Sequence, residues 1–325
     1  MIRVAAIGTS MITHRFAAAV AELEGVGLSC VVSRDPVRAA AVAAEVGATT
    51  SSADLDAVLA SPDVDAVYVA SPNTVHHAQA LAALRAGKHV LVEKPAVPTS
   101  AEWEELTAQA AASGVVLLEA IRNLYDPGFA LIEATLPRLG TIRRVSFRFH
   151  QRSARYDRVL AGERLNIFDP GMAGGSLYDL GVYCLQPLVA LFGAPDAVHA
   201  RLVRVAGGAD GAGAALACYE GFVADLSFSK ITLCDTPSTI EGEAGTLVID
   251  HLDDPRVLVL QGVHDGSEEF RVAKRGDDKL ANMIDGVERF AAAVRGEVDV
   301  TPDQRRSLLA ARLLDDIRRS GSDAG

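Results

Sequence analysis

Short apolar runs alternate with segments of helical periodicity through the first third of the chain. The predicted strands are Ile2–Ile7, Leu28–Val32, Asp65–Ala70, His89–Val92 and Val115–Leu118. A helical pattern follows each of the first four strands. The first two run from about Ile12 to Leu23 and from about Pro36 to Val46. The third ends at about Ala86, and the fourth begins at Thr99 or Ser100. Apolar runs of this length, bounded by turn residues, are typical of strands buried in a parallel sheet. Their regular alternation with helices predicts an α/β fold with a doubly wound parallel sheet.

The second part of the chain has a different pattern. Period-two alternation predicts strands at Thr141–His150, Ala197–Val205, Ala215–Glu220, Val223–Ile231, Thr239–Ile249, Val257–Leu260 and Glu269–Val272. Helical spacing returns at Asp277–Val294 and Pro302–Arg319, where Thr301 and Pro302 supply a cap and a first-turn proline.

The segment Gln151–Ala173 has no predicted element. A connection of that length is usually functional or disordered. We expect a mobile lid over the substrate there, with Arg152, Arg155 and Tyr156 as its candidate residues.

Composition narrows the classes of function. The 325 residues suffice for two domains, and 49 % hydrophobic with 22 % charged residues suits helices packed on a parallel sheet. The formal net charge of −11 argues against nucleic acid or an anionic membrane as the main partner. Cys30, Cys184, Cys218 and Cys234 have no paired spacing, which indicates small buried side chains in a reducing compartment. With no signal peptide or apolar span of about 20 residues, we expect a soluble, cytoplasmic protein.

The charged pair Glu93-Lys94 closes the apolar run His89–Val92, and Pro95 follows it. Open parallel sheets bind ligands at the carboxyl ends of their strands, so Lys94 lies where chemistry usually takes place. Pro95 restrains the backbone of Lys94 to an extended conformation, which fixes the direction of its side chain. The alternative is a solvated lysine that only ends the strand.

The turn after the first strand reads Gly8-Thr9-Ser10-Met11-Ile12-Thr13. It stands where the dinucleotide fingerprint G-x-G-x-x-G is expected, between a strand and a helix. Only the first glycine is present, since Ser10 and Thr13 replace the other two. A tight turn that opens a helix can still bind a pyrophosphate through the N-terminal amides. We therefore predict that Gly8–Ile12 binds the cofactor, with an ordinary strand–helix turn as the alternative.

The end of the second strand indicates which nucleotide is bound. An acidic residue there binds the ribose 2′-hydroxyl of NAD, whereas an arginine accommodates the 2′-phosphate of NADP. The strand ends in Val32-Ser33-Arg34, and Arg38 lies one helical turn further. Ser33, Arg34 and Arg38 therefore predict a phosphate clamp that favours NADP(H) over NAD(H). The alternative is a solvated start of the next helix that binds no phosphate. Asp35 comes one position late and could instead cap the next helix.

The order of motifs resembles the Gfo/Idh/MocA (glucose-fructose oxidoreductase, inositol dehydrogenase, rhizopine catabolism) family. Ser71-Pro72-Asn73, then His76, then Glu93-Lys94-Pro95 carry the resemblance. It implies that Ser71, Pro72, Asn73 and His76 lie along the nicotinamide, that Glu93 and Lys94 complete the cofactor-binding set, and that the Lys94–Pro95 bond is cis.

The resemblance also implies two domains. Residues 1–121 would form a Rossmann domain, and residues 122–325 an α+β substrate domain with an open, mainly antiparallel sheet. Its C-terminal helices would pack back toward the nucleotide domain. Family habit further implies a homodimer or a homotetramer.

A second family motif runs from Gly174 to Tyr183. Ser176 is a natural helix cap there, and Asp179 and Tyr183 stand four residues apart, on one helical face. Many family members have histidine where this chain has Tyr183. The tyrosine version resembles the glucose-fructose oxidoreductase and dimeric dihydrodiol dehydrogenase branch. The alternative is a core tyrosine beside a surface aspartate.

The junction after the last predicted strand of the first domain reads Glu119-Ala120-Ile121-Arg122-Asn123-Leu124-Tyr125. Arg122, Asn123 and Tyr125 could reach substrate hydroxyls, or could serve packing at the hinge. No metal-binding motif is present, and we expect no metal.

These observations predict an NAD(P)-dependent oxidoreductase. Hydride would pass between the nicotinamide and a sugar, polyol, cyclitol or related carbonyl compound. Tyr183 would exchange the proton, Lys94 would stabilise the substrate oxygen, and Asp179 would hold a neighbouring hydroxyl. The roles of Lys94 and Tyr183 could be reversed. A non-catalytic NAD(P)-binding sensor is the alternative, because fold does not imply function. A third hypothesis is a transferase or hydrolase that recycles its bound nucleotide.

Overall fold

The computed structural model describes residues 1–275 and 280–322. The chain divides into two compact units. The first contains Met1–Val97, Ala101–Arg122 and Lys274–Ser307, and the second contains Pro98–Ser100, Asn123–Ala273 and Leu308–Gly325. The assignment of separate nucleotide and substrate domains at residues 121 and 122 stays a prediction.

A six-stranded parallel sheet forms the centre of the first unit. Its strands are β1 (Ile2–Ile7), β2 (Val26–Val32), β3 (Thr50–Ser52), β4 (Ala66–Val69), β5 (His89–Glu93) and β6 (Leu117–Ala120). They are ordered β3-β2-β1-β4-β5-β6, and every neighbouring pair is parallel. The order reverses between β1 and β4, which makes this the switch point where open α/β sheets bind ligands.

Helices flank both sheets. They are α1 (Met11–Ala21), α2 (Pro36–Val46), α3 (Leu55–Ala60), α4 (His76–Arg85), α5 (Ser100–Ser113), α6 (Pro127–Thr135), α7 (Tyr156–Leu160), α8 (Val182–Phe192), α9 (Ala281–Val294) and α10 (Thr301–Ser322). In the first unit, α1 buries Phe16 and Val20 and packs against α9. All four residues of β4 are buried, as expected for a strand covered on both faces.

The second unit contains an eight-stranded mixed sheet. Its strands are β7 (Ile142–His150), β8 (Ala197–Arg204), β9 (Asp210–Tyr219), β10 (Phe222–Ser229), β11 (Ser238–Gly242), β12 (Gly245–Ile249), β13 (Val257–Gly262) and β14 (Gly266–Arg271). The order is β14-β13-β12-β11-β7-β10-β9-β8, with β7 and β10 parallel and all other pairs antiparallel. The predicted fold class, a doubly wound parallel sheet plus a mainly antiparallel one, is confirmed.

Several element predictions were wrong in detail. The short strand Thr50–Ser52 was missed because it is polar and lies at the edge of its sheet. The single strand predicted at Thr239–Ile249 is two antiparallel strands, β11 and β12, joined by a turn between Gly242 and Gly245. The segment Gln151–Ala173 is not one irregular loop, because it contains α7 and two 3₁₀ turns. The predicted start of a helix at Asp277 lies outside the described residues.

Aspartates cap two helices where a hydroxyl was expected to do so. Ser176 makes no capping bond, and its hydroxyl and the Leu177 amide both donate to the Asp210 carboxylate, at 2.6 and 2.7 Å. Thr301 is already helical, and its amide donates to Asp299 at 2.9 Å. A carboxylate is the stronger acceptor for the first amides of a helix.

The cysteine prediction holds only in part. Cys30 and Cys184 are buried, whereas Cys218 and Cys234 are partly exposed, and all four are free.

One stretch of the described chain, Pro170–Phe192, is long and apolar enough to cross a membrane by length and composition. Of its most apolar window, 78 % is buried inside the structure, which is the burial expected of a core helix.

Gly8 provides a test of the contact between β1 and β4. Its φ is +127°, and an added Cβ would lie 2.8 Å from the Ala70 carbonyl carbon. We expect Gly8→Ala to lower the free energy of unfolding by about 2–5 kcal/mol, because backbone strain and overlap add. Gly47 also has a positive φ, +71°, but open space around it, so Gly47→Ala should cost only about 1–2 kcal/mol. Urea denaturation measures both, and equal losses would contradict the close contact.

Candidate active site

The loops that follow β1, β4 and β5 leave the same edge of the parallel sheet. Gly8 follows β1, Ser71 comes shortly after β4, and Lys94 directly follows β5. Because β4 lies between β1 and β5, these three loops are neighbours. They flank the switch point, where a ligand of this kind of sheet binds.

The turn after β1 passes close to the end of β4. A side chain at Gly8 would overlap the Ala70 carbonyl group, so only glycine fits. Thr13, in place of the third glycine of the fingerprint, is fully buried, and its hydroxyl donates to the Gly8 carbonyl at 3.1 Å. Ser10 is the N-cap residue of α1, and its side chain makes no capping hydrogen bond. The turn therefore brings the positive end of the α1 dipole to this edge, an arrangement that suits a pyrophosphate.

Two exposed arginines follow β2, Arg34 in the connection after the strand and Arg38 in the first turn of α2. Asp35 is the N-cap of α2, and its Oδ1 accepts the amides of Val37 and Arg38 at 3.0 and 3.1 Å. The interpretation of Asp35 as a helix cap is thus confirmed. Arg34 and Arg38 are exposed, and Arg38 Nη2 donates to the Thr9 carbonyl at 3.2 Å. This contact links α2 to the turn after β1.

The Lys94–Pro95 turn is held by two buried polar side chains. The peptide bond between Lys94 and Pro95 is cis, as the resemblance implied. His76 Nδ1 lies 3.1 Å from the Pro95 carbonyl oxygen, and Ala96 donates its amide to Glu119 Oε1 at 3.0 Å. His76 and Glu119 are only 1 % and 4 % exposed. The turn is therefore fixed to α4 on one side and to β6 on the other.

His76 also connects this turn to the segment after β4. Its Nε2 lies 2.8 Å from the Ser71 carbonyl oxygen. The pKa of His76 is lowered, and burial is the main cause. The contacts with the backbone of Ser71, Pro95 and Ala96 raise the pKa, but by less than burial lowers it. A neutral imidazole donates one of its two contacts with these carbonyls. The predicted contact between His76 and the cofactor stays a prediction.

The other residues of that segment are more open. Pro72 is exposed, while Ser71 and Asn73 are partly exposed. The Ser71 hydroxyl donates to Gln79 Oε1 at 2.6 Å.

Glu93 is the last residue of β5 and is buried at the carboxyl edge of the parallel sheet. Its Oε1 accepts the Tyr68 hydroxyl at 2.5 Å, and Tyr68 stacks on Phe16 with 3.8 Å between the ring centroids. Burial raises the pKa of Glu93, whereas the Tyr68 hydroxyl and the charges of Lys94 and Arg122 lower it. Lys94 itself is partly exposed.

In the second unit, Asp179 and Tyr183 lie on two consecutive helical segments. Asp179 is in a π-helical turn, Leu177–Gly181, and Tyr183 is in the first turn of α8. Helical turns of the π type occur often at functional sites. Tyr183 is buried and packs edge-on against Phe149, with 5.3 Å between the ring centroids. The Asp179 side chain is 44 % exposed.

Sequence reasoning missed the residue that Asp179 contacts. The Lys230 ammonium, only 5 % exposed, lies 2.8 Å from Asp179 Oδ2. Lys230 directly follows β10, just as Lys94 directly follows β5. The detectable signal was therefore a lysine at the end of an apolar strand. Nothing in the spacing of the sequence connects it to Asp179, 51 residues earlier.

The three residues predicted near the substrate differ in their surroundings. Arg122 Nη1 donates to Asn282 Oδ1 at 3.2 Å. Asn123 is fully buried, and its amide donates to the Leu252 carbonyl at 3.0 Å, which is a packing contact. Tyr125 is partly exposed. A role of Arg122, Asn123 or Tyr125 toward substrate stays a prediction.

Two of the candidate lid residues contact one another. Arg152 pairs with Asp157 at 2.6 Å and lies over the Tyr156 ring. Arg155 precedes α7. Among residues 1–275 and 280–322, no three His, Cys, Asp or Glu side chains are grouped so that they could hold a metal ion.

Family models match both units of the chain. The model of an oxidoreductase family with an NAD-binding Rossmann fold matches residues 2–120, and the model of the GFO/IDH/MocA C-terminal domain matches residues 137–248. The chain therefore belongs to the Gfo/Idh/MocA family of oxidoreductases, and the resemblance predicted from its motifs is confirmed.

Proteins similar to this chain include two dehydrogenases and a reductase of known structure. The chain is 38 % identical over 320 residues to the scyllo-inositol 2-dehydrogenase (NADP⁺) of Bacillus subtilis strain 168, covering 98 % of this chain and 97 % of the relative. It is 32 % identical over 203 residues to the trans-1,2-dihydrobenzene-1,2-diol dehydrogenase of Sus scrofa, covering 61 % and 58 %. A 3-ketoreductase from Actinomadura kijaniata, solved with NADP and TDP-benzene, superposes with a TM-score of 0.86 at 26 % identity, covering 98 % and 97 %.

The lowered pKa of His76 generates a prediction about acid stability. Between the folded pKa and the unfolded value of about 6.5, the unfolded chain binds more protons, so stability rises with pH. The contribution of neutral His76 is complete above pH of about 6.5 and is lost as the pH falls through the folded pKa. When the pH is lowered from 7 to 5, we expect the free energy of unfolding to decrease less in the His76→Gln variant than in the wild type.

Urea denaturation at a series of pH values measures this difference. The exposed His264 supplies a matched variant, since His264→Gln makes the same change of side chain at the surface. A His76→Gln protein with the same acid loss as the wild type would contradict a buried neutral histidine.

Proposed function

We propose that this chain is an NADP(H)-dependent oxidoreductase acting on a polyol, cyclitol, sugar or related polyhydroxylated carbonyl compound. The observation that carries the proposal is the anchored Lys94–Pro95 turn, which lies at the same carboxyl edge of the sheet as the turn of Gly8, with the end of β4 between them. Support comes from the NADP⁺-dependent scyllo-inositol dehydrogenase, which is similar over 98 % of this chain.

In this proposal the cofactor is held by four groups of residues. The turn of Gly8, Thr9, Ser10, Met11 and Ile12 binds the pyrophosphate, and Ser33, Arg34 and Arg38 bind the 2′-phosphate of the ribose. Ser71, Pro72, Asn73 and His76 line the nicotinamide side, with Glu93 and Lys94. The site fits such a group because the turn of Gly8 brings the N-terminus of α1 to the switch point, and Arg34 and Arg38 are exposed after β2.

The bound nicotinamide supplies a hydride acceptor or donor for the substrate carbinol carbon. Lys94 binds the substrate oxygen and stabilises the negative charge that develops on it. The Tyr183 hydroxyl donates a proton to that oxygen in reduction, and in oxidation the Tyr183 phenolate accepts the proton of the substrate hydroxyl. Asp179 accepts a hydrogen bond from a neighbouring substrate hydroxyl and so orients the ring. The first unit would thus serve the nucleotide, and the second would serve the substrate.

The setting of the enzyme belongs to the same proposal. We infer a cytoplasmic homodimer or homotetramer that acts on a free small molecule, without nucleic acid or membrane as a partner. The formal net charge of −11 supports the absence of polyanionic partners.

Two substitutions test the proposed chemistry. We expect Lys94→Met to abolish turnover of NADP⁺ with a panel of inositols, polyols and aldoses while the nucleotide still binds. Tyr183→Phe should lower turnover by about 10²–10⁴-fold, the usual size of a lost acid–base group. Absorbance of NADPH follows turnover, and tryptophan fluorescence or thermal shift follows binding.

Matched controls exist in both units. Lys88→Met removes a lysine that contacts the carbonyls of Ser61 and Val64, and Tyr219→Phe removes a hydroxyl that contacts Gly193; both variants should stay active. A folded Lys94→Met protein with full activity would overturn the assignment. Tight nucleotide binding by the wild type without turnover of any compound would favour the sensor hypothesis.

The preference for NADP is testable by ligand-induced stabilisation. A ligand that binds the folded state raises the melting temperature in proportion to ln(1 + [L]/Kd). We expect NADPH to stabilise the wild type more than NADH does at equal concentration. Replacing Arg34 and Arg38 by alanine should weaken NADPH binding by about 10–100-fold, because each charge-assisted hydrogen bond to phosphate contributes about 1.5–3 kcal/mol. NADH binding should change little.

The exposed Arg271 provides a control in the second unit, and Arg271→Ala should leave both affinities unchanged. Stronger stabilisation by NADH in the wild type would show that the arginines do not select the 2′-phosphate.

A further inference from the structure

Lys230 is a buried cation at the end of β10. It is 4 % exposed, and its ammonium nitrogen lies 2.8 Å from Asp179 Oδ2 and 3.3 Å from the Ile167 carbonyl oxygen. The same nitrogen lies 5.0 Å from the centroid of the Phe168 ring. An ammonium group removed from water needs compensation by an opposite charge and by hydrogen bonds. Asp179 supplies the charge, and the Ile167 carbonyl accepts a hydrogen bond.

The burial of the pair is asymmetric. The side chain of Lys230 is 5 % exposed, whereas that of Asp179 is 44 % exposed. An ionised carboxylate offers about four acceptor sites on its two oxygens. Asp179 can therefore hold Lys230 from one side and still accept a hydroxyl of a small molecule from its open side.

The position of Lys230 is fixed by its backbone. Its amide donates to the Gly211 carbonyl, and its carbonyl accepts the Ser153 amide, both at 2.8 Å. Residue Asp210, next to Gly211, holds the start of the π-helical turn through the Leu177 amide. The ends of β9 and β10 thus anchor the turn at two points, one at its start and one at Asp179.

We propose that Lys230 is a positioning residue, which orients the Asp179 carboxylate for the substrate. This inference rests on the proposed function, in which Asp179 accepts a substrate hydroxyl. An exposed ion pair contributes little to a fixed geometry, because water competes and both side chains move. Here one partner is buried and held by the sheet, so removing its charge removes a fixed contact of the Asp179 carboxylate.

A double-mutant cycle tests the inference. The wild type, Lys230→Met, Asp179→Asn and the double variant are compared by kcat and KM for scyllo-inositol, or for the panel compound with the highest turnover, with NADP⁺. We expect Lys230→Met to lower kcat/KM about 10–100-fold, a usual loss when a supporting contact of a site residue is removed. In the Asp179→Asn background the same change should cost less than about threefold, because residues that act through one another are not additive. The Kd for NADP⁺ should stay within twofold in every variant.

Ser176→Ala is the matched control, since it removes the Ser176–Asp210 hydrogen bond at the other anchor of the turn. It should lower the melting temperature but keep kcat/KM within about threefold of the wild type. If Lys230→Met does not fold, Lys230→Gln takes its place in the cycle.

The outcomes separate the two proposals. If the fold losses of kcat/KM from Lys230→Met and Asp179→Asn multiply in the double variant, the two residues act independently. That result would overturn the role of Lys230 and leave the proposed function intact. An equal loss of kcat/KM in Ser176→Ala would also overturn it, because the effect would then be a general loosening of the turn. Full activity of Asp179→Asn would overturn the substrate-orienting role of Asp179 and with it the role of Lys230, while the oxidoreductase activity itself would stand.

Discussion

The close approach of β1 to β4 determines the geometry of the candidate nucleotide site. Gly8 has a φ of +127°, and a side chain there would overlap the Ala70 carbonyl group. Because Gly8 has no side chain, the chain can turn there and α1 begins at Met11, shortly after the strand. The Thr13 hydroxyl then donates a hydrogen bond from the first turn of α1 to the Gly8 carbonyl. The loops of Ser71 and Lys94 leave β4 and β5, the next strands of the sheet. A bulkier residue at position 8 would move the start of α1 away from both.

The two units each place a lysine directly after a strand, in contrasting surroundings. Lys94 is partly exposed, and its turn is held by neighbours, since His76 contacts the Pro95 carbonyl and Glu119 accepts the Ala96 amide. Lys230 is buried and is compensated by the Asp179 carboxylate at 2.8 Å. A buried charge is stable only with such a partner. The buried ammonium of Lys230 acts on the Asp179 carboxylate that it contacts.

The sequence allowed the elements of the first unit to be predicted because its apolar runs are strong. β1 and α2 have the predicted bounds, Ile2–Ile7 and Pro36–Val46. The polar edge strand Thr50–Ser52 lacks that signal and was missed. The capping of the π-helical turn was also missed, because its acceptor, Asp210, is 33 residues from the Leu177 amide. Likewise, the partner of Asp179 is set by the pairing of β9, β10 and β7, which periodicity along one strand does not reveal.

Asp35 caps α2 at the end of the second strand, where the identity of the bound nucleotide is usually decided. An acidic residue near the end of the second strand would normally indicate a ribose 2′-hydroxyl as its partner. Here Oδ1 of Asp35 accepts the amides of Val37 and Arg38, which directs the carboxylate toward the first turn of α2. The same cap fixes the backbone from which Arg38 reaches the Thr9 carbonyl, at 3.2 Å. A guanidinium held beside the turn of Gly8 supports the proposed binding of a nucleotide with an additional phosphate.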